Sequence, residues 1–418
     1  MASETVLTGV ITCAFLVPAL AIGAPANLVA ITDARIYTSA AAPPLPKASI
    51  LIGDGRIIAV GERIQIPPDA RVIRCDGCSV MAGFWNSHIH FTEPKWDSAA
   101  TQPAPKLAGQ LQAMLLRSGF VTVVDTGSIL ANTLALRRRI DSGEIPGPRI
   151  YTAGVPIYPP DGIPYYVKES VPAEMLGQLA PPRDAAEGKE TAAANIRNGA
   201  DLLKLFTGSW ISRSKVLPMP EPIARAAVTV AHKSHQLVFA HPSNLAGIQV
   251  AIDSGVDVLA HAPDDTRGID DVVLRRAIAR HMAMIPTLKL FSGADDIAEI
   301  RRVVRRFHEL GGELMFGTDT GYLSDYDVAE EFRQLGKVGL NNVEILRMLT
   351  ENPAGRFGVQ KERGRIMPGM IADLTILASD PASDIAAFSR VRYTIRDGRI
   401  FYEGKPDMSR GENRITPP

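Results

Sequence analysis

Short apolar runs alternate with turn residues near both ends of the chain. The strands that this pattern predicts cover residues 28–37, 49–52, 56–61, 370–377, 391–395 and 400–402. Asp54-Gly55 and Asp397-Gly398 have the composition of hairpin turns between such strands. Neither end has enough strands to close a hydrophobic core alone. We therefore expect one small β-sandwich domain that is built from both ends of the chain.

The middle of the chain alternates apolar, strand-like runs with longer segments of helical periodicity. The predicted strands cover residues 80–90, 120–126, 149–155, 202–207, 237–241, 256–261, 283–288 and 314–319. The clearest helical segments between them cover residues 222–235, 244–254 and 269–281. Eight such strands predict an α/β fold with a parallel (β/α)8 TIM-like barrel. An open sheet is less consistent with the pattern, because its first strand usually precedes a glycine-rich turn.

The N-terminus has the character of an export signal. Residues 6–24 are uncharged and largely apolar, and small residues suited to cleavage follow them, although no basic residue precedes them. The stretch is shorter and less apolar than most membrane-spanning helices. We expect an exported, periplasmic or secreted protein without stable membrane association once the signal is removed. An uncleaved anchor or a misassigned start, with a cytoplasmic protein, is the alternative.

These patterns divide the chain into five parts. They are a probable signal peptide (1–26), the N-terminal part of the β-sandwich (27–79), the barrel (80–358), the C-terminal part of the β-sandwich (359–408) and a tail (409–418).

Composition narrows the possible partners. The 418 residues include 46% hydrophobic residues, and 45 basic residues balance 45 acidic ones. Without a basic stripe, nucleic acid is not expected as the main partner. Of three cysteines, Cys13 would leave with the signal, while Cys75 and Cys78 form a single CxxC pair. A structural zinc site would need a second CxxC pair, and the sequence has none. A local disulfide and two free thiols therefore both remain open.

Metal-capable side chains lie on five of the predicted barrel strands. They are His88, His90, Lys204, His241, His261 and Asp319. His88 and His90 share one face of a strand, because side chains at i and i+2 point the same way. Each of these residues alone has an ordinary structural explanation, such as a hydrogen-bonded histidine or a capping aspartate. A buried lysine and aspartate beside four imidazoles are consistent with one cavity that cations occupy. Together the six residues therefore predict a metal site.

This pattern resembles the amidohydrolase superfamily, and in particular its imidazolonepropionase-like and prolidase-like members. The segments 199–204, 251–257 and 367–374 are similar to those of that group. The resemblance covers essentially the whole mature chain. It implies a binuclear metal-dependent hydrolase that cleaves an amide C–N bond, in a non-peptide or dipeptide-like substrate, with a hydroxide held between the metals.

The resemblance also assigns roles to the six residues. It implies that Lys204 is carboxylated by CO2 and bridges two divalent ions, with zinc expected. His88, His90 and Asp319 would hold the more buried ion, and the other two histidines the second. Asp319 would also move the proton from the attacking water to the leaving group.

The substrate is less well specified by the sequence. Two segments, Pro242–Asn244 and Ala262–Asp265, differ from related enzymes where substrate would lie. The loops after the strands carry further polar candidates: Tyr165, Tyr166, Trp210, Arg213, Lys289, Tyr322, Asp325 and Tyr326. Of these we assign Tyr166, Arg213, Lys289 and Tyr322 to substrate binding. Lys289 or Arg213 could hold the carboxylate of an N-acyl amino acid or dipeptide.

Three other functions remain open at this point. The same site could hydrolyse a lactone or ester, or could deaminate, although Lys204 favours two metals over the single metal usual in deaminases. A non-catalytic barrel scaffold would be expected to have lost a ligand, and all six positions are filled here. We expect a small-molecule substrate, and a homo-oligomer is possible.

Overall fold

The computed structural model describes residues 28–170, 176 and 179–404, which form a mixed α/β fold. The predicted signal peptide (1–26) and tail (409–418) lie outside the described residues. Within this part of the chain, no helix combines the length and the apolar character needed to cross a lipid bilayer.

The strands and helices are as follows. The strands are β1 (Val29–Ile36), β2 (Leu45–Gly53), β3 (Arg56–Gly61), β4 (Arg71–Arg74), β5 (Ser79–Ala82), β6 (Phe84–Ile89), β7 (Phe120–Asp125), β8 (Arg149–Thr152), β9 (Leu203–Phe206), β10 (Gly208–Ser212), β11 (Lys215–Pro218), β12 (Val238–His241), β13 (Val258–Ala260), β14 (Ala283–Ile285), β15 (Glu313–Leu314), β16 (Leu374–Leu377), β17 (Val391–Arg396) and β18 (Arg399–Glu403). The α-helices are α1 (Ala104–Met114), α2 (Leu130–Asp141), α3 (Tyr165–Ser170), α4 (Ala185–Arg197), α5 (Glu221–Lys233), α6 (Leu245–Ser254), α7 (Asp271–Ala279), α8 (Ile297–Glu309), α9 (Ala329–Val338), α10 (Asn342–Leu349) and α11 (Glu351–Arg356). Short 3-10 helices cover Pro94–Trp96, Leu116–Ser118 and Ile385–Ser389.

Both ends of the described chain contribute to one eight-stranded sheet. Its order is β18-β17-β16-β5-β1-β2-β3, and β4 also pairs with β1. Strands from the two ends meet where β5 pairs antiparallel with β16. Apolar side chains from both ends, including Ile31, Ile50 and Ile376, form the buried core on this sheet. The two hairpin turns also meet, since Gly55 lies against the backbone of Asp397.

The strand predicted over residues 80–90 is two strands, and this prediction was wrong. β5 belongs to the eight-stranded sheet, whereas β6 pairs in parallel with β7. Gly83 separates them and donates its backbone N–H to the carbonyl oxygen of Asp373 at 2.8 Å. A side chain at Gly83 would overlap Val121. The chain therefore changes sheets at a glycine that lies inside a continuous apolar run.

The remaining parallel strands form two sheets that hydrogen bonds connect at both edges. One sheet has the order β6-β7-β8, and the other has β15-β14-β13-β12-β9. At one junction Ile157 N–H donates to the Lys204 carbonyl at 2.8 Å. At the other, Ser87 N–H donates to the Phe316 carbonyl at 2.7 Å. The strand predicted over 314–319 is shorter than expected, because only Glu313–Leu314 pairs as a strand.

Helix caps agree with the sequence pattern around the central helices. α5, α6 and α7 lie in the three segments where helical periodicity was clearest. The Asn244 side chain accepts the Gly247 N–H at the start of α6, and Gly255 ends this helix in the left-handed conformation. Cys75 and Cys78 form a buried disulfide, which decides between the two alternatives left open for this pair.

Candidate metal centre

Four histidines and one aspartate from four strand ends lie together. The ring centroids of His90 and His88 are 5.2 Å apart, those of His88 and His261 4.3 Å, and those of His261 and His241 4.8 Å. Asp319 Oδ1 lies 3.0 Å from His90 Nε2 and 3.3 Å from His88 Nε2. One candidate ligand atom from each of His88, His261 and Asp319 lies within 4.8 Å of the others. The carboxyl ends of the parallel strands therefore bring these side chains into one cluster.

Lys204 lies on β9 beside this cluster and is 2% exposed. Its Nζ donates to the carbonyl oxygen of Ala260, the residue before His261, at 2.9 Å. Burial lowers the pKa of Lys204 to about 7, and the charge of Asp319 opposes this shift only in part. A large fraction of the amine is therefore unprotonated near neutral pH, which is the nucleophilic form.

Three of the four imidazoles are held in their neutral form. Burial lowers the pKa of the fourth, His90, but nearby Asp319 outweighs burial and raises it. Burial lowers the pKa of His88 to about 3, and the charge of Lys204 lowers it further. The pKa values of His241 and His261 are also lowered well below normal, first by burial. Burial opposes the ionisation of Asp319, but the neighbouring histidines outweigh it and lower its pKa well below its usual range. A carboxylate beside three neutral imidazoles suits a metal ion, and an ion that also binds His90 would displace its proton.

Three buried atoms in the cluster lack hydrogen bonds within the described part of the chain. They are Nδ1 and Nε2 of His88 and Oδ1 of Asp319. Buried polar atoms are normally paired, and each unpaired one destabilises the fold. Imidazole nitrogen and carboxylate oxygen are the donors that zinc-like ions prefer. The residues present therefore fit a divalent cation.

Hydrogen bonds outside the cluster orient two of the rings. His90 Nδ1 donates to the Gly127 carbonyl at 2.7 Å, and His261 Nδ1 lies 2.7 Å from Thr287 Oγ1. Buried Asp125 accepts the Gly127 N–H at 3.2 Å and the Ser128 hydroxyl at 2.6 Å, which fixes the Gly127 loop. Sequence reasoning did not select Asp125 or Thr287. Both stand at the ends of predicted apolar strands, which is the signal that could have identified them.

Three residues at the strand ends adopt the left-handed backbone conformation. The φ angles are 53° at Ser243, 46° at Thr287 and 58° at Asp319. Non-glycine residues rarely adopt this region, and such strain concentrates at functional sites. Gly321 (φ 103°) lies so close to the His90 carbonyl that any side chain would overlap it. The segment after β15 can therefore present Asp319 to the histidines only with glycine at this position.

A sequence model of the Amidohydrolase family matches residues 79–401. The chain belongs to this family. It is similar to an allantoinase of Solibacter usitatus, with 26% identity over 80% of this chain and 81% of the relative.

Solved structures resemble the fold over 90% of this chain. One is a Xaa-Pro dipeptidase with bound methionine in its active site, which is covered completely at 22% identity and a TM-score of 0.77. Another is a putative prolidase from Bifidobacterium longum, of which 95% is covered, at 25% identity and a TM-score of 0.74. These neighbours support a TIM-barrel-like α/β domain. Amidohydrolases generally use metal ions, and the His/Asp group of this amidohydrolase could hold one.

Tyr166 and Tyr322, two of the predicted substrate residues, lie beside each other near the cluster of this amidohydrolase. Their ring centroids are 5.7 Å apart. Burial raises the pKa of Tyr166, and negative charge at Tyr158, Tyr322 and Asp319 raises it further. Burial followed by the charge of Asp319 likewise raises the pKa of Tyr322. Both phenols are therefore neutral hydrogen-bond donors close to the candidate metal centre.

The two predicted carboxylate-binding residues contact other loops of the amidohydrolase. Arg213 is exposed, and its guanidinium lies 5.6 Å from the ring centroid of Tyr165. Lys289 Nζ donates to the Asp325 carbonyl at 2.8 Å and to the Asp327 carbonyl at 2.5 Å. The loops after β14 and β15 are tied together by Lys289, and a role of either cation in substrate binding stays a prediction.

The other loop candidates also have protein partners. Trp210 Nε1 donates to Asp264 Oδ2 at 2.6 Å, and burial raises the pKa of Asp264 to about 6. The Tyr326 hydroxyl donates to Glu93 at 2.5 Å and also contacts Lys95. These contacts connect the loops around the strand ends to one another.

Proposed function

We propose that this amidohydrolase is a metal-dependent hydrolase that cleaves the C–N bond of a small amide, either dipeptide-like or non-peptide. The observation that carries the proposal is the cluster of four histidines and Asp319 beside buried Lys204. The names of the allantoinase and Xaa-Pro dipeptidase relatives support a C–N bond as the target. The hydrogen bonds at both edges of the parallel sheets support a closed (β/α)8 barrel.

The six side chains would share two divalent ions, and zinc is the expected metal. His88, His90 and Asp319 would hold one ion, and the other two histidines would hold the second. When bound, two such ions would bring the pKa of a shared water into the neutral range and polarise the substrate carbonyl. Tyr166 and Tyr322, as neutral donors, would hydrogen-bond the substrate, and their raised pKa values support this role.

Lys204 would provide the bridge between the two ion sites as a carbamate. The unprotonated Nζ would attack the carbon of CO2, form an N–C bond and release one proton to solvent. The product is an anion, and it replaces a buried amine that has no acidic hydrogen-bond partner among the described residues. The lowered pKa of Lys204 supports this reaction, because only the free amine is nucleophilic.

Asp319 would move the proton during hydrolysis. Its Oδ1 has no hydrogen bond among the described residues and lies 3.0 Å from His90 Nε2 and 3.3 Å from His88 Nε2. It would accept a proton from the attacking water and deliver it to the leaving nitrogen. One carboxylate that performs both transfers is ordinary general acid–base catalysis.

Domain organisation and location complete the proposal. We place the barrel at about 80–358 and the β-sandwich in the segments that flank it, with the eight-stranded sheet as support. We propose export, since the Cys75–Cys78 disulfide is stable in an oxidising compartment. A small-molecule substrate and a possible homo-oligomer remain part of the proposal.

Metal content tests this function most directly. Protein purified with zinc and bicarbonate should contain about two ions per chain by elemental analysis, the number of a bridged site. Lys204→Ala should lose most of the metal and the hydrolysis of N-acyl amino acids, dipeptides or lactones, and a small added carboxylate should restore part of both. Lys189→Ala, which changes an exposed lysine of α4, is the matched control and should behave as wild type.

Other outcomes have definite meanings. One ion per chain, unaffected by Lys204→Ala, would remove the carbamate and favour mononuclear chemistry such as deamination. A folded protein that binds no metal would contradict the proposed function and favour the scaffold alternative.

A further inference from the structure

Thr287 is a buried residue in an unfavourable backbone conformation next to the candidate metal centre. It follows β14, is fully buried, and has a φ of 46°. A β-branched side chain in the left-handed region destabilises the fold. Such strain persists only where the surrounding structure imposes it. The strained conformation places the Thr287 hydroxyl within hydrogen-bonding distance of His261.

The Thr287 hydroxyl lies between a fixed acceptor and an imidazole. Its Oγ1 is 2.9 Å from the Pro286 carbonyl, which can only accept a hydrogen bond. The same oxygen is 2.7 Å from His261 Nδ1. With the hydroxyl proton assigned to the Pro286 carbonyl, the oxygen accepts from His261, and this assigns the hydrogen to Nδ1. Nε2 of a neutral His261 then carries the lone pair.

Glu331 holds the backbone that follows Thr287. This residue lies on α9, is fully buried, and its Oε2 accepts the Lys289 N–H at 2.7 Å. The other oxygen of the carboxyl group, Oε1, has no hydrogen-bond partner among the described residues. The bond to Lys289 ties α9 to the turn after Thr287. A carboxyl group buried in this way destabilises a fold, so its position here is consistent with a geometric role.

We propose that Thr287 is a positioning residue that sets the tautomer of His261, with Glu331 holding Thr287 in its strained conformation. The lone pair of His261 Nε2 is thereby directed to the metal. This inference rests on the proposed metal site, although the tautomer itself can be measured without metal. Partners of this kind typically change metal affinity by about 10–100-fold.

The test combines a spectroscopic and a binding measurement. In metal-free protein with 15N-labelled histidine, the ring spectrum of His261 should show hydrogen on Nδ1, and Thr287→Val should reduce this form. Zinc affinity, measured by competition with a chelating dye, should fall about 10–100-fold in the same variant. Thr287→Ser, which keeps the hydroxyl, should restore both. Thr287→Ala removes the hydroxyl without β-branching and should resemble Thr287→Val.

A matched control separates positioning from stability. Thr375 is another fully buried threonine, whose hydroxyl donates to the Gly119 carbonyl at 2.7 Å and accepts the Phe84 N–H at 3.1 Å. Thr375→Val should destabilise the protein comparably and leave the His261 tautomer and zinc affinity unchanged. The role of Glu331 is tested in the same way. Glu331→Leu should change the His261 tautomer and the zinc affinity in the same direction as Thr287→Val does. Glu331→Gln keeps an acceptor oxygen and should leave both unchanged.

An unchanged tautomer and affinity in Thr287→Val and Thr287→Ala would overturn the inference. The same holds if Thr287→Ser is as defective as Thr287→Val, because shape and not the hydroxyl would then matter. If wild-type protein binds no zinc but the tautomer still shifts, the proposed function fails while the role of the hydroxyl stands.

Discussion

Asp125 and Asp319 are both buried carboxylates that follow parallel strands, yet their surroundings differ. Asp125 accepts three hydroxyl groups, from Ser128, Thr133 and Thr152, at 2.6 to 3.0 Å. Asp319 Oδ1 lacks a hydrogen bond among the described residues and faces two imidazoles. A fully hydrogen-bonded carboxylate holds loops in place, whereas one with a free oxygen can take up a cation or proton.

This difference explains how far the sequence predicts the site. The six metal-capable residues interrupt or end apolar strands, so their chemistry contrasts with their neighbours, and the structure places all six together. Their supporting residues offer a weaker signal. Glu331 is one of two consecutive glutamates on α9, and the sequence does not show which of the two is buried. Thr287 cannot be distinguished from an ordinary strand-end threonine without its φ angle.

Asp319→Asn tests the proton-transfer role. The asparagine has the same shape but cannot take up a proton, so kcat should fall about 10²–10⁴-fold. Asp373→Asn, at a buried carboxylate outside the metal cluster, serves as the control, since it should lower stability while leaving most of the turnover intact. Steady-state kinetics on a substrate from the hydrolysis screen would measure both. Turnover within tenfold of wild type in Asp319→Asn would contradict the assigned role.

Glu331 should make stability depend on pH. Burial raises its pKa to about 8 in the folded protein, whereas the unfolded chain releases the proton near its ordinary value of 4.5. Between these values the folded state binds more protons, so the free energy of unfolding should fall as the pH rises from about 5 to 8. The loss is on the order of 4 kcal/mol.

Urea unfolding at a series of pH values measures this effect. Glu331→Gln should flatten the slope, because glutamine does not titrate. Glu330→Gln, at the partly exposed neighbour, should keep the slope of wild type. An equal slope in wild type and Glu331→Gln would show that other groups cause the pH dependence.

At the scale of elements, periodicity predicted the central helices well and two strand boundaries poorly. α6 and α7 begin at polar caps, Asn244 and Asp270, that the sequence displays. The strand predicted over residues 314–319 stops pairing with β14 after Leu314, and the Phe316 N–H instead donates to the Met348 carbonyl at 3.1 Å. An apolar run reports burial, but it does not report which partner accepts the hydrogen bonds of each amide.

Replacing a helical glycine by alanine usually stabilises a protein, but at Gly247 in α6 we expect the opposite. A side chain at Gly247 would overlap the Pro242 carbonyl, directly after His241. Gly247→Ala should therefore destabilise the protein, whereas Gly109→Ala in α1, with open space around it, should stabilise it by about 0.5–1 kcal/mol. Thermal unfolding of both variants provides the comparison. A gain in stability in Gly247→Ala would show that α6 can move away from the strand end.

At the scale of the whole molecule, an ionic cluster joins the eight-stranded sheet to the parallel strands. Asp373 Oδ2 lies 3.1 Å from Arg149 Nη1 of β8 and 3.3 Å from Arg363 Nε. Its Oδ1 accepts the Asp397 N–H at 2.9 Å, and the side chain is only 5% exposed. One buried carboxylate therefore connects segments far apart in the sequence.

Asp373→Ala should leave two arginines without their buried partner and destabilise the fold by about 3–5 kcal/mol. Glu190→Ala, which breaks the exposed Arg197–Glu190 pair, should change stability by less than about 1 kcal/mol. Chemical denaturation of both variants measures the difference. Similar small losses in the two variants would mean that the cluster contributes little to holding the sheets together.

The pairing of β5 with β16 has a consequence for biosynthesis. Ser79 of β5 pairs with Leu377 of β16. β5 therefore cannot form this pairing until β16, one of the last strands, has been synthesised. At roughly 5–20 residues per second this interval is about 15–60 s. During that time the nascent chain exposes an apolar strand edge, which is the kind of surface that recruits other chains. Chaperones that keep the polypeptide unfolded until translation ends would protect this edge, and a chain that terminates before β16 should aggregate.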